Sequence, residues 1–512
     1  MLKNEESLRF SYQCVEQWPP LAWIAFCSSK NKSILVWHGS QVETTSDWFC
    51  EAVWPDAFEE GNFDQTDIMA GSGGRFRDNS MIFVSAGNTV DRLLSLQTDE
   101  ALMVSNSLAC LLAVSNASID ITYPDYYQDF TTIIHGLTGY KRAIATSLGD
   151  IQITMFGSIV WNGNRATYNT KNIIRRDFGN FMKYEHFLQE NLNRIAHNMN
   201  DSGRKKRYQF LATASSGYDS PAIAALAQKA GCSDALCIDK DRFGEVENGD
   251  QVAAYLCLNP VVIERDAWRK LDGAEILFLA ADGTAEAVSL ASANDNLSGK
   301  VLLTGYHGDK IWAKGTKDLS ENIIRGDSSG LSLTEHRLWA GFIHCPITFW
   351  GVQQIRDINL ISNSKEMRPW DIPGDYSRPI ARRIIESAGV PRTAFGSSKK
   401  ASAVGSSEFL CSSSLTAYLA WLAKNRLQWL KHGRLPPLLS NRYEHFSRKI
   451  SDRLESILHK TPYLWRFAPR NQLDRPSRLR RYVFAWAINQ VSVRYRKHVP
   501  NPMILTDKNR FV

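Results

Sequence analysis

The stretch from 207 to 320 constrains this chain most, because strand-like and helix-like runs alternate along it. Apolar, β-prone runs fall at 208–213, 235–238, 260–263 and 301–304, and runs with helical spacing fall at 221–230, 251–258 and 283–292. A β-α-β-α order calls for parallel strands joined by right-handed crossovers, with helices on both faces of the sheet. The expected fold class is therefore α/β.

Small residues gather where two of these strands end. The first gives Ala212-Thr213-Ala214-Ser215-Ser216-Gly217, then Tyr218, Asp219, Ser220 and Pro221. Such a run lets the backbone turn tightly, so that successive amide N–H groups converge on an anion. Ser220 suits an N-cap and Pro221 a first helical position, so a helix is expected to start there with its positive end toward the loop. The Gly-Lys-Ser/Thr ending of a Walker loop is absent. Asp219 repels phosphate unless a divalent cation lies between them, which implies Mg²⁺. Taken alone, the loop is equally a strand-to-helix turn with no ligand. The second strand end, Val301-Leu302-Leu303-Thr304-Gly305-Tyr306-His307-Gly308-Asp309, repeats strand, glycine turn and acid. Ligands of open α/β sheets collect at the carboxyl ends of strands, so the two turns would hold one Mg²⁺–pyrophosphate between them. His307 is expected to be a hydrogen-bonded turn histidine.

These residues resemble the asparagine synthetase superfamily, whose synthetase domain belongs to the PP-loop ATP pyrophosphatases. That family's loop reads Ser-Gly-Gly-x-Asp-Ser, against Ser215-Ser216-Gly217-Tyr218-Asp219-Ser220 here. Its second motif reads Ser-Gly-x-Gly-x-Asp-Glu, against Thr304 to Lys310, with lysine in place of the glutamate. A late segment, Val390-Pro391-Arg392-Thr393-Ala394-Phe395-Gly396-Ser397-Ser398-Lys399-Lys400-Ala401-Ser402, is similar to the one that brings the family's lysine to the reaction centre. The resemblance implies ATP phosphates on Ser215, Ser216, Gly217 and Ser220, with Gly305 and Gly308 forming the second turn. It implies Mg²⁺ on Asp219 and Asp309, and Lys399 or Lys400 as the catalytic cation. Adenine is expected against the strand ending near Ile238, with Asp239 as a polar contact.

The N-terminal part, by contrast, is β-rich with sparse helical periodicity. Residues 71–113 and 123–144 resemble parts of the glutaminase domain of glutamine-dependent members. Their nucleophile is the cysteine exposed when Met1 is removed, and position 2 here is Leu2, so glutamine is not expected as the nitrogen source. A glutaminase-like fold without its cysteine is the arrangement of β-lactam synthetases and lasso-peptide cyclases, which adenylate a carboxylate and close an amide. The division expected is 1–170 as a degenerate glutaminase-like domain, 171–410 as a PP-loop synthetase domain and 411–512 as a basic helical extension, the first boundary falling between 165 and 205.

Charge and cysteine content bound the setting. Of the net charge of +7, the excess lies at one end: residues 421–512 hold twenty Lys or Arg against five Asp or Glu. A solvated basic face is favoured there over contact with nucleic acid, an acidic membrane or an anionic substrate. Nine scattered cysteines, no CxxC, no long apolar run and a polar N-terminus point to reduced thiols and a cytoplasmic protein. The fifteen tryptophans read as core and interface residues. The expected partners are a small-molecule or peptide carboxylate and an amine acceptor, with a homodimer left open. Three functions stay open: an ATP-dependent amide ligase, a PP-loop enzyme modifying RNA or a nucleotide, and a scaffold with a decayed site.

Overall fold

A computed structural model describes residues 9–28, 33–241, 244–374, 376–396, 410–439 and 479–500. The chain is mixed α/β, with a strand-rich N-terminal region, a parallel sheet and C-terminal helices. Two sheets make up the first region. One runs Arg9–Cys14, Ser33–His38, Trp23–Ser28, Ala101–Ser105, Leu93–Gln97, Gly149–Thr154, Ala143–Thr146, antiparallel except for its first pair. The other is antiparallel throughout and runs Ala166–Thr170, Gly157–Trp161, Ser80–Val84, Ala70–Arg77, Trp48–Val53, Glu43–Thr44. Alternate residues of the two sheets meet in one apolar layer, Trp23, Val36, Leu102 and Val104 from the first and Phe49, Met81, Phe83 and Trp161 from the second. Trp23 anchors it, with its ring 4.9 Å from Phe49 and 6.2 Å from Phe83.

The parallel sheet has the strands expected from the sequence, at Gln209–Ala214, Asp234–Ile238, Asn259–Ile263 and Lys300–Thr304, and a fifth, Ile343–Pro346, that was not expected. All four pairings are parallel. In chain order the strands lie 3-2-1-4-5, so the direction of winding reverses between Gln209–Ala214 and Lys300–Thr304. The Asp219–Lys229 helix packs with Phe181–Met199, Gly249–Tyr255 and Pro379–Ser387, while Glu275–Asp282 packs with Leu333–Ala340. One expected helix is absent: within 283–292, Gly283 closes the Glu275–Asp282 helix at φ 83° and only a 3₁₀ turn, Val288–Ala293, follows. Glycine's freedom at positive φ makes it a helix stop here, rather than a start.

The final described helix, Val483–Arg496, is wedged into the rest of the molecule. It packs on Leu108–Ser115 and on Glu275–Asp282, and buries Phe484, Trp486, Ile488, Val491 and Tyr495. Trp18 donates its indole N–H to Tyr495 O at 3.3 Å, and the Tyr495 hydroxyl donates to Glu335 at 3.0 Å. Each fully buried side chain of this size contributes roughly 1.5–3 kcal/mol. A buried ion triad joins the same regions: Arg337, on the Leu333–Ala340 helix, donates to Glu51 at 2.7 and 3.1 Å and to Asp91 at 2.7 Å.

Among the described residues eight tryptophans are almost fully buried, as core residues should be. Among the described residues no helix is long and apolar enough to cross a membrane. All nine cysteines are described as free thiols, six of them buried.

Candidate active site

Ligands of doubly wound sheets lie where the winding reverses, outside the carboxyl ends of the two diverging strands. Here those ends carry the two turns singled out in the sequence. The first, 215–218, leads into the Asp219–Lys229 helix, which begins one residue before Ser220 with Tyr218 at the capping position and no side-chain cap. Ser220 therefore lies inside the first turn, and the expected Ser220 cap is not formed. First-turn amides have no partners within their own helix, and Pro221 brings none, so the amides of Asp219 and Ser220 form the positive end.

The second turn is pressed against the first. A Cβ at Gly305 would stand 2.6 Å from the carbonyl carbon of Asp219, and one at Gly308 would stand 2.7 Å from the Asp219 carboxylate. Both glycines thus clear space for Asp219, and Asp309 follows immediately in the Gly308–Ile311 helical turn. The structure brings Ser215, Ser216, Gly217, Asp219, Ser220, Gly305, Gly308 and Asp309 to one place. Lys399 and Lys400 lie outside the described residues. The segment before them does reach the loop: Gly396 N–H donates to Ser216 O at 2.8 Å, and Phe395 meets the Tyr218 ring edge-on at 6.0 Å.

Part of the loop's hydrogen-bonding capacity is used within the protein. Ser216 N–H donates to the Glu247 carboxylate at 2.6 Å, and Gly217 N–H donates to Ser215 Oγ at 3.3 Å. Ser216 Oγ is buried with no hydrogen-bond partner. Asp219 is met by Arg378, which donates to its Oδ2. Asp239 is tied to the neighbouring strand end, accepting from Arg265 N–H at 2.8 Å. Neither Glu247 nor Arg378 was picked out from the sequence, since 31 and 159 positions separate them from their partners in the fold.

His307 departs from expectation. It sits at φ 74° and stacks on Phe349 at 4.8 Å, but neither ring nitrogen is hydrogen-bonded. Burial, then Arg325, pulls its pKa down to about 3, so the ring is neutral near pH 7. Beside it lies an acidic group the sequence did not reveal. Glu286 and Asp327 are half-buried, and both act electrostatically on the Tyr306 hydroxyl of the second turn. Burial, then the Asp327 and Asp282 carboxylates, raises Glu286 to about 7. Ser329 Oγ donates to Glu286 at 3.2 Å. The non-glycine residues Ala285 and Ile323 flank this cluster at φ 55°, a strained conformation for both and a severe one for a β-branched side chain. No local signal marked Glu286, which lies in a segment read from the sequence as a helix.

Among the described residues no three His, Cys, Asp or Glu converge as an all-protein metal cage. Asp219 and Asp309 form a smaller set, and two hard oxygen donors suit Mg²⁺ that takes its other positions from phosphate and water. The buried, unpartnered Ser216 hydroxyl suits a phosphate oxygen. No protein-family model matches this sequence, and no curated protein matches it.

Proposed function

We propose that the chain is an ATP-dependent, AMP- and pyrophosphate-forming amide ligase of the asparagine synthetase type, built on a PP-loop synthetase domain. The observation that carries this reading is the apposition of the two acid-bearing turns, Asp219 against Gly305 and Gly308, at the winding reversal of a parallel sheet. Ser215, Ser216, Gly217 and Ser220 bind and orient the phosphates. Asp219 and Asp309 would hold Mg²⁺, which would supply positive charge for the departing pyrophosphate.

A substrate carboxylate oxygen attacks the α-phosphorus, the bond to the β-phosphate breaks, and acyl-adenylate and pyrophosphate form. An amine then attacks the acyl carbon and AMP leaves. Glu286, close to the Tyr306 hydroxyl of the second turn and raised toward neutral pH by burial, is the base to which we assign the amine's proton. Lys399 or Lys400 is the cation for the acyl-transfer step.

Exchange of labelled pyrophosphate into ATP, screened over a panel of carboxylates, tests the reading. Exchange that depends on one carboxylate and is lost in Asp219→Ala supports it. Absence of Mg²⁺-dependent ATP binding by the intact chain overturns it and leaves the decayed scaffold.

A further inference from the structure

Arg378 stands just ahead of the Pro379–Ser387 helix, and its buried guanidinium donates to the Asp219 carboxylate. Asp309 is the second aspartate close enough to act on it. The Tyr376 and Tyr218 rings flank the guanidinium, with centroids 5.1 and 5.8 Å away. A monovalent side-chain cation therefore lies among the two carboxylates that the ligase reading, on which this inference rests, gives to a divalent ion.

We infer that Arg378 makes metal loading conditional on nucleotide: it holds Asp219 while the site is empty and passes to a phosphate oxygen when metal and nucleotide arrive together. The guanidinium already offsets part of the negative charge that the two carboxylates bring. A bare divalent cation brings its charge up against the guanidinium and competes with it for Asp219, and both effects oppose binding. A nucleotide triphosphate brings several negative charges with the metal, so each cation keeps an anionic partner. The planar guanidinium suits this exchange, because its paired N–H groups fit a carboxylate and a phosphate alike. Tyr218 ties the arrangement to the loop: its hydroxyl accepts from Arg382 at 2.7 Å, which fixes the ring that Arg378 lies over.

The test is a comparison of two binding measurements on the full chain. Mn²⁺ alone is titrated by electron paramagnetic resonance, and ATP with saturating Mg²⁺ is titrated by calorimetry. Arg378→Met keeps the length and packing of the side chain and removes its charge. The expected result has opposite signs: Mn²⁺ alone binds at least about tenfold more tightly than to wild type, and Mg²⁺–ATP binds at least about tenfold more weakly. Arg378→Lys, which keeps the charge without the fork, falls between the two in both arms and serves if the methionine variant does not fold. Loss of affinity in both arms, or no change in the Mn²⁺ arm, overturns the inference while leaving the ligase reading intact. A wild-type chain that binds Mn²⁺ but no Mg²⁺–ATP overturns both.

Discussion

Gly308→Ala and Gly305→Ala together measure how closely the two turns must fit. A Cβ at 308 would lie 2.7 Å from Cγ and Oδ1 of Asp219, and one at 305 would lie 2.6 Å from its backbone carbonyl carbon. Ordinary contact begins at 3.4 Å, so about 0.7 Å must be found at 308 and about 0.8 Å at 305. At 308 the obstacle is a side chain, which can rotate off its rotamer at a cost of about 0.5–1.5 kcal/mol. Alanine in a helical turn recovers up to about 1 kcal/mol over glycine, so the net change in stability is within about 1 kcal/mol. The carboxylate nevertheless leaves its place, and an ion with near-ideal octahedral demands tolerates little displacement. Affinity for Mg²⁺–ATP is expected to fall about tenfold or more, or about 1.4 kcal/mol. At 305 the obstacle is backbone, and overpacking there costs about 1–3 kcal/mol of stability. Urea unfolding and calorimetric ATP titration separate the two. Wild-type ATP affinity in Gly308→Ala, or equal stability of the two variants, would refute the reasoning.

Arg337→Met leaves Glu51 and Asp91 buried without their cation and should cost about 3–5 kcal/mol in urea unfolding, part of it recovered by adding Glu51→Gln. Trp486→Ala opens a cavity under the final helix and should cost about 3–5 kcal/mol by the same assay. Because the Glu286 pKa is raised on folding, the stabilisation linked to its proton is full below the ordinary carboxyl value near 4.5 and is lost as pH rises through about 7. Stability measured from pH 4.5 to 8 should therefore fall with pH, and Glu286→Gln should remove about 1–3 kcal/mol of that fall. A residual slope is expected from Asp282, raised to about 6 by burial in the same window.

Three of the parallel strands were legible because each is a short apolar run buried on both faces and bounded by polar residues, and the largely exposed edge strand Asn259–Ile263 was legible from its β-branched Val261-Val262-Ile263 run. Ile343–Pro346 was not, because four residues ending in proline carry too little pattern to be told from a loop. The loop at 215–220 and the turn at 304–309 were legible because tight turns and close approaches demand small residues locally, whatever the rest of the chain does. Their exact helical starts were not: Ser220 is the better capping residue by chemistry, yet Tyr218 takes that position, where its buried ring packs against Tyr376 and Phe395. Glu247, Arg378 and Glu286 read as ordinary charged residues in a string of letters. Only the fold gives them their neighbours, since charge pairing acts through space and leaves no period in the sequence.

The wedge formed by Val483–Arg496 has a consequence for the order in which the protein is made. Its docking surfaces, Leu108–Ser115 and Glu275–Asp282, leave the ribosome long before it does. At about 5–20 residues per second, the earlier surface waits roughly 20–75 s for its cover, with apolar side chains facing water or a chaperone. The sandwich and the parallel sheet can each pair their strands during synthesis, and Arg337 can reach Glu51 and Asp91 before the chain is finished, but the apolar faces of Leu108–Ser115 and Glu275–Asp282 are covered only once the chain has passed residue 496. Nascent chains stalled before residue 483 should therefore be the form most dependent on holding factors.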